Sequence, residues 1–298
     1  PVYKAESFPD NMKPFIPEVN DLYFLQPDLV EALWNAHIDN DNVWLWGQSG
    51  TGKSSLEEQF AARIGQPFLR FNGREDVESA ALFGQLTVEG EGTVWKDGLL
   101  TEGVKYGARV LMDEATVIPA TIWMGVQWLA EKDGKLMLTD KPATAGERLV
   151  EPDPRFRMTY ADNTRGQGDD NGNFNGTGVM NTATLNRVGL TMEVKFLEFS
   201  QELELLVNKW GEKIHDDLLQ DTLRLADLLR KAMREDQISL SFSLRSIESV
   251  LTKAYNYRTM PTKKCMFRAF NEGYANLLPN DDEYGAAVNF FEMVFGQY

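Results

Sequence analysis

The sequence predicts an α/β protein in which a parallel sheet flanked by helices is followed by an all-helical region. Short, mostly apolar runs at residues 43–46, 67–71, 108–112 and 156–160 have the length and flanks of strands, and stretches with helical spacing separate them. Strands that alternate with helices favour a parallel sheet with helices on both faces. From about residue 198 onward, leucine-rich amphipathic segments replace this pattern and predict the helical region.

The order of these segments predicts three parts of the chain. Residues 1–25 are interrupted by prolines and are expected to form an N-terminal arm, residues 26–197 an α/β core, and residues 198–298 a helical second domain. Two insertions in the core, at about 84–98 and 134–154, show the glycine content or the alternation of β-hairpins. A chain of 298 residues is long enough for two such domains, each with its own core.

Composition and charge argue against several classes of protein. The formal net charge of −15 opposes non-specific binding to nucleic acid or to an anionic membrane. Cys265 is the only cysteine and the chain has two histidines, so neither an internal disulfide nor a zinc-type cluster is expected. The sequence has no apolar run near the ~20 residues of a membrane span and no signal-peptide pattern, which predicts a cytoplasmic protein without a membrane partner.

Residues 47–54, with the sequence GQSGTGKS, form a glycine-rich loop between an apolar strand and a helix. Glycines allow backbone amides to surround a triphosphate, and the helix directs the positive end of its dipole at the phosphates. Lys53 would bind the β- and γ-phosphates, and Ser54 would be a ligand of Mg²⁺. We therefore predict that the chain binds ATP and Mg²⁺. The expected binding residues are Gly47, Gln48, Ser49, Gly50, Thr51, Gly52, Lys53, Ser54 and Ser55.

Polar residues at the ends of two later strands predict hydrolysis as well as binding. Asp113 and Glu114 follow an apolar strand ~60 residues after the loop. Asp113 would hold Mg²⁺ through water, and Glu114 would orient and polarise the attacking water. At the end of the next strand, Asn163 could hydrogen-bond both the γ-phosphate and this water, and the adjacent Asp162 competes for that position.

Two arginines complete the set of candidate residues. Arg187 follows the glycine-rich stretch at residues 166–178, and Arg245 begins a helix of the second domain. The planar guanidinium stays charged and suits a γ-phosphate during transfer, which makes both arginines candidates for that contact.

With these residues in order, the chain resembles AAA+ ATPases over roughly residues 15–255. Within that superfamily it is similar to the branch that contains the MoxR proteins and the ATPase subunit of aerobic cobaltochelatase. The likeness is carried by GTGKSSLEEQFAAR at residues 50–63, WKDGLLTEG at residues 95–103, and ADNTRGQGD at residues 161–169 together with LNR at residues 185–187.

The resemblance implies a role for each candidate. Lys53 and Ser54 would be Walker A, Asp113 and Glu114 Walker B, Asn163 sensor 1, Arg187 the finger that reaches a neighbour's nucleotide, and Arg245 sensor 2 in a helical lid. Asn72 matches the amide that restrains the catalytic glutamate in many AAA+ proteins. The two insertions match hairpins that face the ring pore in this branch. The finger motif reads Asn-Arg instead of the usual Asp-Arg.

A finger that acts in trans implies a homo-oligomer, most simply a hexameric ring that remodels a protein client. Three alternatives share the phosphate loop. A small-molecule kinase fits the strand-end glutamate less well, and a DNA-associated motor or loader is opposed by the acidic charge but left open. A nucleotide-controlled scaffold without turnover is the third.

Overall fold

A computed structural model describes residues 2–166 and 180–297, and the chain separates into two compact units. The first unit runs to Asp21 and includes Leu25–Gly47 and Lys53–Val194, whereas the second includes Leu22–Phe24, Gln48–Gly52 and the chain from Lys195 onward. The glycine-rich stretch predicted at residues 166–178 lies, after Gly166, outside the described residues.

The first unit alternates strands and helices. In chain order its elements are α1 (Pro27–Asp39), β1 (Val43–Trp46), α2 (Lys53–Ile64), β2 (Phe68–Asn72), α3 (Ser79–Phe83), β3 (Gly84–Glu89), β4 (Gly92–Asp97), α4 (Leu99–Tyr106), β5 (Arg109–Asp113), α5 (Ala120–Val126), β6 (Leu136–Met137), α6 (Ala145–Arg148), β7 (Leu149–Val150), β8 (Arg157–Asp162), α7 (Thr182–Leu185) and β9 (Leu190–Glu193). Five of the strands form one parallel sheet in the order β2-β5-β8-β1-β9.

Helices cover both faces of this sheet, because successive side chains of a strand point to opposite sides. Trp44, Val110 and Met112 pack into one buried cluster with residues of α4 and α5. Leu45 and Leu111 point the other way and pack with residues of α1 and α2. The predicted fold class, a parallel sheet flanked by helices with a helical region after it, is confirmed.

Two small antiparallel sheets extend from the connections of the main sheet. β3 and β4 pair over six positions, from Gly84 with Asp97 to Glu89 with Gly92. β6 and β7 pair over two positions. The β3–β4 hairpin exposes several apolar side chains, namely Leu86, Val88 and Val94.

A buried polar cluster connects the N-terminal segment to the sheet. The Tyr3 hydroxyl lies 2.8 Å from His37 Nε2, and Arg109 Nη2 lies 3.2 Å from His37 Nδ1. Arg109 also forms a fully buried ion pair with Glu57, with an N–O distance of 2.7 Å. Phe8 and Met12, at or near short 3₁₀ turns of the same segment, are buried in the core.

The second unit is helical. Its helices are α8 (Phe199–Trp210), α9 (Asp216–Arg234), α10 (Leu244–Asn256), α11 (Thr262–Gly273) and α12 (Asp281–Phe295). Their apolar faces form one core, inside which Arg230 makes a two-pronged ion pair with Glu202 at 2.7 and 2.8 Å. Among the described residues of either unit, no helix combines the length and the apolar character that a membrane span requires.

Candidate active site

The carboxyl ends of β1, β5 and β8 lie side by side in the first unit. Asp113 pairs in register with Ala161, and Trp46 pairs with Asp162. Because parallel strands end at the same edge of a sheet, the residues that follow these strands are brought together there. This edge is where α2 begins with Lys53, after the glycine-rich loop.

Lys53 is buried at this edge and connects the loop to the end of β8. Its Nζ donates hydrogen bonds to the Gly47 carbonyl oxygen at 2.7 Å and to Asn163 Oδ1 at 2.8 Å. Burial lowers the pKa of the Lys53 ammonium, and the nearby carboxylates of Glu114, Asp113 and Asp162 act against that shift. A desolvated cation held by neutral oxygens is well suited to bind phosphate oxygens.

Ser54 and Asp113 form the oxygen-donor pair that a magnesium site needs. The Ser54 hydroxyl donates to Asp113 Oδ2 at 2.6 Å, and the backbone N–H of Glu114 donates to Asp113 Oδ1 at 3.1 Å. Mg²⁺ prefers hard oxygen ligands and retains several waters, so one hydroxyl and one nearby carboxylate fit it. These two residues are therefore compatible with the metal that the sequence predicts.

Glu114 adopts a left-handed backbone conformation, with a φ of 51°. Such a conformation costs free energy for a residue with a side chain and is common where function requires it. Burial raises the pKa of the Glu114 carboxyl, and the carboxylates of Asp113 and Asp162 raise it further. The Asn163 side chain donates a hydrogen bond of 3.3 Å to Glu114 Oε2, which stabilises the ionised form.

Asn163 and Asp162 have different surroundings. Asn163 lies between Lys53 and Glu114 and bonds to both. Asp162 is buried and accepts hydrogen bonds from the hydroxyls of Thr116 at 2.8 Å and Thr164 at 2.6 Å. The Asp162 carboxylate therefore organises the protein beneath the site, and Asn163 remains the better candidate to contact a phosphate or a water.

The remaining residues of the loop have the local conformation that a phosphate loop needs. Gly50 and Gly52 have φ angles of 82° and 93°, which side chains disfavour. The Thr51 hydroxyl donates to the Gln48 carbonyl oxygen at 2.9 Å, which closes the turn. Ser49 and Ser55 are exposed.

The two candidate arginines lie on separate elements of the chain. Arg187 follows α7, and its guanidinium donates to the Ala183 carbonyl oxygen at 2.6 Å and pairs with Glu131 at 2.8 Å. Arg245 is the second residue of α10 in the helical unit. The roles of both arginines stay predictions.

Three further residues near the site are not among those predicted from the sequence. Arg70 of β2 pairs with Asp113. Arg165 stacks over Trp46, with its guanidinium carbon 3.9 Å from the ring centre. Gly73 approaches the acidic pair so closely that a Cβ atom there would lie 2.4 Å from the Glu114 carbonyl oxygen. The one sequence signal for any of these residues is Arg70 itself, a single charged residue within the apolar segment 67–71.

Asn72, the candidate for restraining the glutamate, is exposed and pairs in backbone register with Asp113. Within the described part of the chain, the amide that donates to the Glu114 carboxylate is that of Asn163.

The sequence is similar to a known domain family and to several characterised proteins. Residues 42–172 match the model of the AAA domain, dynein-related subfamily. The chain is 28% identical over 240 residues to the aerobic cobaltochelatase subunit CobS of a Sinorhizobium species. The aligned region covers 78% of this chain and 71% of the relative. It is 29% identical over 215 residues to protein NorQ of Paracoccus denitrificans, with 72% of this chain and 74% of the relative covered.

A solved structure has the same fold. The RuvB Holliday junction branch migration motor of Thermotoga maritima aligns with a TM-score of 0.53 at 14% identity, covering 91% of this chain and 75% of that one. At this level of identity the likeness concerns the fold alone.

Proposed function

We propose that this chain, as an AAA+ ATPase of the branch that includes MoxR proteins and the cobaltochelatase subunit, forms a ring. In this proposal the ring hydrolyses ATP with Mg²⁺ and remodels a protein client. One observation carries the proposal. Lys53, Asn163 and Glu114 form a continuous hydrogen-bonded chain beside the Ser54–Asp113 pair. This arrangement supports the proposal, because a cation, an amide and a carboxylate at one sheet edge are the groups that would bind phosphate, polarise a water and act as a base.

Each side chain has a defined task in this proposal. Lys53 binds the phosphates of ATP, and the Glu114 carboxylate accepts a hydrogen bond from the attacking water and orients it. Asn163 holds Glu114 on one side and Lys53 on the other, so that water and phosphate are aligned. Ser54 and Asp113 would hold Mg²⁺, which supplies charge neutralisation at the phosphate oxygens.

Substitution of Glu114 by Gln tests the hydrolytic role. The variant keeps the size and hydrogen-bonding capacity of the side chain but removes the base, so ATP binding persists and phosphate release falls by roughly a hundredfold or more. Phosphate release at the wild-type rate would show that another residue orients the water. Absence of phosphate release from the wild-type chain itself would favour a scaffold that binds nucleotide without turnover.

A ring with shared sites is part of the same proposal, with Arg187 as the residue that acts in trans. Arg187→Ala is expected to bind ATP without hydrolysing it. Mixing this variant with Glu114→Gln provides the sharper test, because a junction is complete wherever Glu114 of one subunit meets Arg187 of the next. Random mixing of equal amounts then restores about a quarter of wild-type turnover in a closed ring. No recovery in assembled mixtures would refute a shared site.

The client is proposed to be a protein, because the net charge of −15 opposes binding along a nucleic acid. The proposed place of this encounter is the cytoplasm. The Glu114→Gln variant, incubated with ATP, is the suitable bait for its capture, with the same variant without ATP as the control. Strong stimulation of ATP hydrolysis by DNA would instead favour a DNA-associated motor.

A further inference from the structure

Arg70 contacts the carboxylate that would face Mg²⁺. It lies in β2, the edge strand next to β5, and its Nη2 is 2.5 Å from Asp113 Oδ2. The same oxygen accepts the hydroxyl of Ser54. The Asp113 side chain is only 5% exposed, whereas that of Arg70 is 48% exposed. One end of the guanidinium is thus bound to a buried carboxylate while the rest of the side chain remains in solvent.

A buried carboxylate is unfavourable without a compensating cation. Arg70 supplies this charge from the edge of the sheet. Because about half of its side chain is already exposed, Arg70 can move into water at little cost in desolvation. Two cations close to one carboxylate oxygen repel each other, so a metal ion and the Arg70 guanidinium oppose each other there.

We propose that Arg70 is a positioning residue that neutralises Asp113 while the metal is absent and competes with Mg²⁺ for this carboxylate. The inference rests on the proposed function, because it takes Ser54 and Asp113 as the magnesium-binding pair. Arg70 thereby sets the Mg²⁺ concentration at which the site becomes loaded, and it keeps Asp113 oriented in the nucleotide-free protein.

The test measures the Mg²⁺ dependence of binding in the Glu114→Gln background of the 298-residue chain, in which a fluorescent ATP analogue is not consumed. Arg70→Met is expected to lower the Mg²⁺ concentration for half-maximal analogue binding by roughly threefold to tenfold, the range for a partly exposed ion pair. Arg70→Lys, which keeps the charge, should stay closer to the parent than to the Met variant.

Arg74→Met is the matched control. Arg74 lies four residues further along the chain, is 66% exposed, and pairs with Asp76 at 3.6 Å, so its loss removes the same charge from the same region. It should leave the Mg²⁺ requirement unchanged. An equal decrease in both Met variants, an unchanged or higher Mg²⁺ requirement in Arg70→Met, or a Lys variant that behaves like the Met variant would each overturn the proposal.

Thermal unfolding of the same variants gives a second readout. Without nucleotide, Arg70→Met should unfold at a lower temperature than the parent, because Asp113 has lost its ion pair with Arg70. With saturating Mg²⁺ and analogue this difference should close. A difference that persists in the loaded protein would mean a purely structural role and would refute the inference. If the parent does not bind the analogue at all, the proposed function itself fails, and the two failures are thereby distinguished.

Discussion

Protonation of His37 should destabilise the first unit, because its ring is buried beside the guanidinium groups of Arg109 and Arg157. His37 is 4% exposed. Arg109 donates to Nδ1, so the neutral ring carries its proton on Nε2 and donates it to the Tyr3 hydroxyl. A second proton on Nδ1 would break the bond from Arg109 and place two cations in contact.

Burial lowers the pKa of His37 from 6.5 to about 3, and the charges of Arg109 and Arg157 add to the shift. Between these two values the unfolded chain binds a proton that the folded chain does not, so stability rises with pH across this window and falls on acidification. From pH 7.5 to pH 5.5 the expected loss in the free energy of unfolding is about 1.4 kcal/mol. At pH 5.5 the folded ring is still neutral, so the unfolded-state pKa sets nearly all of this value.

The assay is urea unfolding at both pH values, for the wild type and for His37→Gln. The glutamine side chain can accept a hydrogen bond from Arg109 and donate one to Tyr3, but it does not titrate. The difference between wild type and variant therefore removes the contribution of all other titrating groups. The wild type should lose about 1.4 kcal/mol more than the variant. Histidine NMR checks the cause, because the chain has two histidines and His215→Gln assigns both signals. Equal losses, or a protonated His37 ring at pH 5.5, would refute the reasoning.

Three further predictions concern other contacts. Gly73→Ala should lower the free energy of unfolding by roughly 1–3 kcal/mol and slow phosphate release, because the alanine Cβ would displace the Glu114 carbonyl. Gly92→Ala is the control, since the space around Gly92 is open. Glu57→Gln should cost about 3–5 kcal/mol in urea unfolding, since it leaves Arg109 buried without its carboxylate. Glu248 pairs with Lys209 at the surface, and a change no larger than that of Glu248→Gln would contradict this prediction. Because the pKa of Glu114 is raised and its ionised form is the active one, ATP hydrolysis should decline at a higher pH than an ordinary carboxyl group would give. Asn163→Ala should move that acid limb of the rate profile still higher, and an unchanged limb would argue against the bond to Glu114.

The main strands were predictable because each is a short apolar run with a clear flank. β9 was not, since Leu190–Glu193 has mixed character and only Met192 of its four residues is buried. The burial of Phe8 and Met12 could not be foreseen either, because a proline-rich segment of mixed composition is typical of an extended arm. In both cases tertiary packing decided the outcome and the local pattern did not.

The candidate site shows the same division between local pattern and three-dimensional pairing. Spacing along the chain was enough to select Lys53, Asp113 and Glu114, because a phosphate loop and a strand-end acidic pair are sequence motifs. The choice between Asp162 and Asn163 depended on Thr116 and Thr164, whose hydroxyls bond to Asp162. Arg70 belongs to no sequence motif, and only the pairing of β2 with β5 places it beside Asp113.

The register between β5 and β8 has a consequence for anyone who recombines or engineers this core. Asp113 lies opposite Ala161, and two positions later the chain supplies the amide of Asn163. Deleting one residue in β8 would move Asn163 into the position of Asp162, and inserting one would move Asp162 into the position of Asn163. Either change turns both side chains to the opposite face. Crossover points for chimeras with a relative should therefore be chosen outside residues 157–163, so that the strand is inherited as one piece.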